Sequence, residues 1–124
     1  MIGRRGPRRA RVSTTGGIEI AASCELADGM LTRMWGLLGR KGLGPGEGML
    51  ISRTGSVHTF FMRFAIDVVF VDKARTIVKI VPNLRPWRIA MARRAKSALE
   101  LPAGTAATLG LEPGMVLAVG EGES

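Results

Sequence analysis

The chain holds one cysteine among 124 residues, Cys24, so no disulfide can form within it. It holds one histidine, His58, and neither a Cys-x-x-Cys nor a His-x-x-x-His pair. A zinc site normally takes three or four His, Cys or carboxylate ligands, so no metal is expected. A hard-cation set of Asp67, Asp72 and Glu100 has no loop motif behind it. No cofactor is expected either. No apolar run approaches the ~18 residues of a membrane span. Val-Ser-Thr-Thr-Gly-Gly follows Arg11 where a secretory signal would need an apolar stretch, and the Arg4-Arg5 pair fails as a twin-arginine signal for the same reason. A cytoplasmic monomer is the expectation. Aromatics make up only 5% of the residues, and no internal repeat is visible.

What is present fits one globular domain. The composition is 46% hydrophobic and 23% charged, and a chain of this length buries roughly two-thirds of its unfolded surface. The net charge of +8 is uneven. Arg4, Arg5, Arg8, Arg9 and Arg11 lie in residues 1–11 with no acid among them. A disordered basic arm over 1–12 and a single domain over 13–124 are therefore expected. Arg85, Arg88, Arg93, Arg94 and Lys96 form a second basic cluster. Such clusters attract polyanions and also keep proteins soluble.

Periodicity predicts many short strands. Residues 17–22 alternate in the strand manner. Leu26, Met30, Met34, Leu37 and Leu38 recur at spacings of three and four, which predicts an amphipathic helix over 26–38, capped at Ser23 or Asp28. A glycine-rich loop follows over 39–48. Strands are predicted over 49–51, over 57–64, and over 66–71, the last an apolar run buried on both faces. Asp72-Lys73-Ala74 turns the chain into a return strand over 76–81. Residues 87–97 read as loop or one helical turn. Strands over 98–101 and 115–119 flank a short helix over 105–109 that Gly110 closes. The fold class is α+β: a small β-rich domain, a curled mixed or antiparallel sheet or half-barrel, with one main amphipathic helix packed on it.

The residues that could do chemistry are scattered. Histidine in general can move protons near neutrality, so His58 could serve as a general base if Asp67 or Glu100 fixed its tautomer. Ser56, Thr59 and Cys24 are the nucleophile candidates, and none sits in a nucleophile motif. Asp67 interrupts the most apolar strand, where a carboxylate must find hydrogen bonds or a cation; Arg40, Arg63 and His58 are the partners considered. Glu100 lies between two leucines and faces the side of its strand opposite them. Arg40 suits a helix C-terminus and could also hold a carboxylate ligand. Trp87 stands between Pro86 and Arg88, where it could stack a base or close a core.

Gly36-Leu37-Leu38-Gly39-Arg40, Gly48-Met49-Leu50, His58-Thr59-Phe60-Phe61-Met62, Ile66-Asp67-Val68-Val69-Phe70-Val71-Asp72 and Leu99-Glu100-Leu101-Pro102-Ala103-Gly104, then Gly110, stand in order from about residue 17 to 119. Together they resemble the DUF192 family, also called UPF0127, of uncharacterised bacterial and archaeal proteins. The resemblance implies a compact β-rich domain with a helix packed against it. It singles out Arg40, Met49, His58, Met62, Asp67, Asp72, Glu100 and Gly104. Ala65 stands where the family usually has proline.

Three functions are carried forward. The preferred one is a domain binding a small ligand or peptide in a pocket near Arg40, His58, Met62, Asp67 and Glu100. The second is a hydrolase-like enzyme with His58 as general base and Asp67 as its orienter. The third is weak, non-specific nucleic-acid association through Arg4, Arg5, Arg8, Arg9 and Arg11.

Overall fold

A computed structural model describes residues 8–28 and 42–121. Nine strands and one short helix occupy them: β1 (Arg9–Thr14), β2 (Glu19–Asp28), β3 (Glu47–Ser52), β4 (Ser56–His58), β5 (Ile66–Val71), β6 (Ile77–Leu84), β7 (Ile89–Met91), β8 (Ser97–Pro102), α1 (Thr105–Leu109) and β9 (Leu117–Glu121). Seven strands form one sheet in the order β6-β5-β8-β3-β2-β1-β9, and β4 pairs with β7 in a separate ribbon. Only β2 and β3 run parallel; every other named pair is antiparallel.

The sheet curls until its edges meet. Thr76, just before β6, bridges Val116, just before β9. The Ile77 N–H donates to Met115 O at 2.8 Å and the Leu117 N–H to Arg75 O at 2.9 Å. Curling removes exposed edge at that end and separates an inner face from an outer one. Val12, Cys24, Val69, Val71, Ile77, Leu99, Leu101 and Leu117 fill the inside, and Ala106 of α1 packs among them. On the outside Met49, Ile51, Val68, Phe70 and Ala98 form a second core, covered by Val57 and Ala90 of the β4–β7 ribbon and by Met62 and Leu84. β5 lies between the two cores, and all six of its residues are buried, as its apolar run implies.

The hairpin from β5 to β6 forms where expected. Asp72 holds its turn, its Oδ1 accepting the Ala74 and Thr76 N–H groups, each at 2.9 Å. The helix over 105–109 also forms, and Gly110 ends it at φ 68°, a left-handed conformation that costs glycine least.

Four expectations need correction. Arg9 to Val12, assigned to a disordered arm, belong to β1, and residues 1–7 lie outside the described residues. The residues of β1 alternate exposed and buried, with Arg9 and Arg11 outward and Ala10 and Val12 inward. The helix expected from Leu26 does not begin there: β2 continues to Asp28, pairing residue by residue with β3. The remainder of that helix, with Met30, Met34, Leu37 and Leu38, lies outside the described residues, and α1 is the one helix among those described. The strand expected over 57–64 stops at His58, because Phe61 turns left-handed at φ 68°. Residues 89–91, expected as loop or helical turn, form β7. No helix among the described residues is long and apolar enough to cross a membrane.

Candidate functional site

Strand alternation separates the two carboxylates expected to share a pocket. Asp67 stands opposite Leu101, while its neighbour Val68 stands opposite Glu100. Opposed residues share a face and successive residues do not. Asp67 therefore points into the curled sheet and Glu100 away from it. Both are fully buried.

Asp67 uses both oxygens on main-chain donors. Oδ1 accepts the Asn83 N–H at 2.9 Å and Oδ2 the Ala106 N–H at 2.8 Å. Ala106 lies in the first turn of α1, whose N-cap residue Gly104 offers no side-chain cap. The carboxylate, 39 residues away in sequence, thus supplies the missing cap. Neither Arg63 nor His58 is its partner in these bonds, and the carboxylate is closed to solvent.

Glu100 lies on the outer face, opposite Met49 on one side and Val68 on the other. Its orientation away from Leu99 and Leu101 is as read from the alternation. Its complete burial is not, because the β4–β7 ribbon makes that face a second core. Met62 packs into this outer core at 8% exposure. Arg40 lies outside the described residues. Among the described candidates, Asp67 and Glu100 lie on opposite faces of the sheet.

His58 ends β4, half-buried. Its ring stacks on Phe60 at 4.7 Å, and its Nδ1 accepts the Phe60 N–H at 3.3 Å. The main-chain N–H thus engages one of the two ring nitrogens. Two of the three expected nucleophiles are sealed in the fold, while Ser56 is exposed at the start of β4. Burial pushes the Cys24 thiol from 9.0 up to about 12, which keeps it protonated and inert. Thr59 is completely buried. Its hydroxyl donates to Arg85 O and accepts the Arg88 N–H at 2.9 Å, while its main chain pairs with the Arg88 carbonyl and the Trp87 N–H. Thr59 is a clamp on the 85–88 loop. No group of three or more metal-ligating side chains occurs among the described residues.

An open groove of about 860 Å³ lies elsewhere, between the start of β6, the end of β7 and the loops that precede β4 and β9. Val78, Met91 and Pro113 give it apolar walls, and Lys79, Arg93 and Arg94 give it three cations. Lys79 is held by a 2.9 Å bond from its Nζ to Met91 O. Gly55 is needed beside it: a Cβ there would lie 3.2 Å from Ala95 O and 3.3 Å from Ala92 O, and the Ala92 N–H closes on Gly55 O at 3.0 Å. A second groove of about 580 Å³ shares Gly55 and carries Arg53, Lys73, Arg75 and Lys96 beside Asp72. From Lys73 to Leu99 the chain has eight lysines and arginines and no acid. Reading the cluster only over 85–96 missed Lys73, Arg75 and Lys79, although this acid-free stretch could have revealed them. By contrast Arg9 and Arg11 each face a carboxylate, Glu25 at 3.8 Å and Glu19 at 3.5 Å.

Comparison with known proteins gives the same fold. A crystal structure of a Sinorhizobium meliloti protein proposed to be a transcription regulator matches with TM-score 0.79 and 29% identity, covering 94% of this chain and 98% of that one. A protein of unknown function from Novosphingobium aromaticivorans matches with TM-score 0.76 and 27% identity, covering 89% of this chain and 83% of that one. A UPF0127 protein of Pyrococcus furiosus is 36% identical over 107 residues, covering 83% of this chain and 91% of the relative. Residues 11–119 match the profile of DUF192, described as "Uncharacterized ACR". The match spans β1 into β9, Asp67, Glu100 and the basic grooves, and this chain belongs to the DUF192 family.

Proposed function

We propose that the domain is a binding module for an anionic, partly apolar small ligand or peptide, held in the groove between β6 and β7. One observation carries this: Lys79, Arg93 and Arg94 converge on apolar walls, in a stretch of the chain without an acid. Ligand pockets commonly measure about 300–1,000 Å³ and combine apolar lining with a few placed polar groups. The site thus stays a small-ligand or peptide site, but moves from the Arg40, His58, Asp67 and Glu100 neighbourhood to the basic groove. The hydrolytic reading loses support, since the carboxylate meant to orient His58 spends both oxygens on main-chain amides.

The test is titration of the labelled protein with a panel of anionic metabolites and acidic peptides, read by amide shifts. Shifts should centre on 77–79 and 91–94. The double substitution Arg93→Glu, Arg94→Glu should weaken binding by about tenfold or more while leaving the melt unchanged. Shifts confined to His58 and Met62 would contradict the assignment.

Nucleic acid is the second reading. It draws on the same cations and on the Sinorhizobium meliloti relative, a protein proposed to be a transcription regulator. Such binding would be phosphate-led and would weaken steeply with salt in a gel shift. Retention above ordinary salt would point to base readout instead.

A further inference from the structure

We infer that the outer face of the β4–β7 ribbon, with the loops at 59–61 and 85–88, docks on an anionic lipid bilayer. This goes beyond the groove and does not depend on it.

The surface is continuous. Ile89 stands opposite His58 and Met91 opposite Ser56, so all four share the ribbon's outer face. His58 stacks on Phe60 at 4.7 Å, Phe60 on Trp87 at 5.7 Å, and Phe61 leans on Trp87 at 4.8 Å. Phe61 is 64% exposed, Trp87 55%, Ile89 58% and Met91 61%, and these are the exposed large hydrophobics among the described residues. Four such side chains gathered on the ribbon and its flanking loops mark an interaction site, where scattered ones would need no explanation.

The backbone is strained to present them. Phe61 and Trp87 both adopt left-handed conformations, at φ 68° and φ 64°, where a bulky residue is a genuine outlier. Buried Thr59 braces both turns: its carbonyl accepts the Met62 N–H at 3.2 Å, across Phe61, and the Trp87 N–H at 3.0 Å, and its hydroxyl fixes Arg85 and Arg88. Strain kept in place by a buried clamp is characteristic of functional surfaces.

Charge and ring geometry select the occupant. Arg63, Arg85 and Arg88 are exposed beside the aromatics, and among the described residues none of them pairs with an acid. Tryptophan and phenylalanine at the headgroup level, flanked by arginines, suit an anionic leaflet. Single-stranded nucleic acid fits less well, because Trp87 already packs against Phe60 and Phe61, Phe60 against His58, and Ile89 and Met91 offer no π-face. A second copy of the chain across a two-fold axis would bring two sets of arginines together.

Flotation of the full chain with vesicles tests the proposal, using neutral phosphatidylcholine alone or with about 30 mol % phosphatidylglycerol, at about 0.1 M salt. The protein should float with anionic vesicles and not with neutral ones. Ile89→Gln, at an exposed strand position, should weaken partitioning severalfold while the melt stays intact. Ile89→Gln with Trp87→Gln should weaken it by about tenfold or more. Vesicle-bound protein should show tryptophan quenching by brominated lipid, lost with Trp87→Phe. No flotation with anionic vesicles overturns the proposal, as does flotation unaffected by the double substitution. A concentration-dependent dimer, or oligonucleotide binding, abolished by that double substitution while vesicles are ignored assigns the face to another occupant and overturns it equally. Groove binding persisting in the double variant leaves the small-ligand reading standing whichever way flotation falls.

Discussion

Inside the curled sheet, Asp67 is fully engaged by the fold; beyond the outer core, at the ribbon and its grooves, cations face solvent. Asp67 reaches two main-chain amides and seats α1. Cys24 is sealed among apolar neighbours. Across the ribbon and its grooves, Lys79, Arg93 and Arg94 line an open groove, and four large apolar side chains face outward. A charge that folding has already satisfied has little left for a ligand, while exposed cations with apolar neighbours can gain from one. The inner carboxylate is the more noticeable in the sequence, and the outer surface is the better candidate for function.

The sharpest way to break this contrast is Asp67→Asn. The amide cannot accept at both positions, so a main-chain N–H inside the protein loses its acceptor. The loss should be about 3 kcal/mol, seen as a fall of about 10 °C in the thermal midpoint, with groove binding unchanged in the protein that remains folded. An unchanged midpoint would return Asp67 to the list of functional residues.

Thr59→Val comes next. It keeps the shape and removes the hydroxyl that bonds Arg85 O and the Arg88 N–H. A loss of about 1–2 kcal/mol is expected in urea unfolding. Tryptophan emission should also change as the 85–88 loop loosens. Stability loss without any spectral change would mean that Thr59 supports the core rather than the ridge.

Alkaline pH probes the interior through Cys24. Below its ordinary value of 9.0 the thiol is neutral in both states and its contribution is fully present. From about 9 to about 12 the unfolded chain ionises while the folded one does not. Stability should therefore fall by about 1.4 kcal/mol per pH unit in that window. Comparison with Cys24→Ala isolates the effect, because the variant lacks this slope. At pH 8 the native thiol should resist a disulfide reagent that labels it promptly in urea.

The smallest stability effect belongs to the outer surface. Arg93→Glu with Arg94→Glu should shift the unfolding free energy by no more than about 0.5 kcal/mol. A large loss would show that these arginines hold the fold together, and the contrast between the two faces would collapse.

Local chemistry was readable wherever it was decided locally. The β5–β6 hairpin follows from its apolar runs and the Asp72 turn, and α1 from small residues closed by Gly110. β1 was readable too: Arg9 to Thr14 alternate with period two, but the arginines drew attention as charge and hid the pattern. At Leu26 the helical spacing competed with a strand, and pairing with β3 prevailed through Asp28. Phe61 looked like a strand residue because nothing in its neighbours marks a left-handed turn. The basic cluster was visible, but only folding joins Lys79 to Arg93 and Arg94 across the groove.

By itself, then, the sequence determined the family, the β-rich class, the absence of disulfides within the chain and the presence of a carboxylate that an apolar strand must satisfy. These follow from residue type and short-range order. Only the tertiary structure decided that Asp67 and Glu100 face opposite sides, that Asp67 caps a helix 39 residues away, and that the aromatics of two loops form one exposed ridge. The reason is geometric. Strand register sets which face a side chain takes, and sheet closure sets which face becomes a core. Both depend on pairings between distant segments that no local pattern specifies.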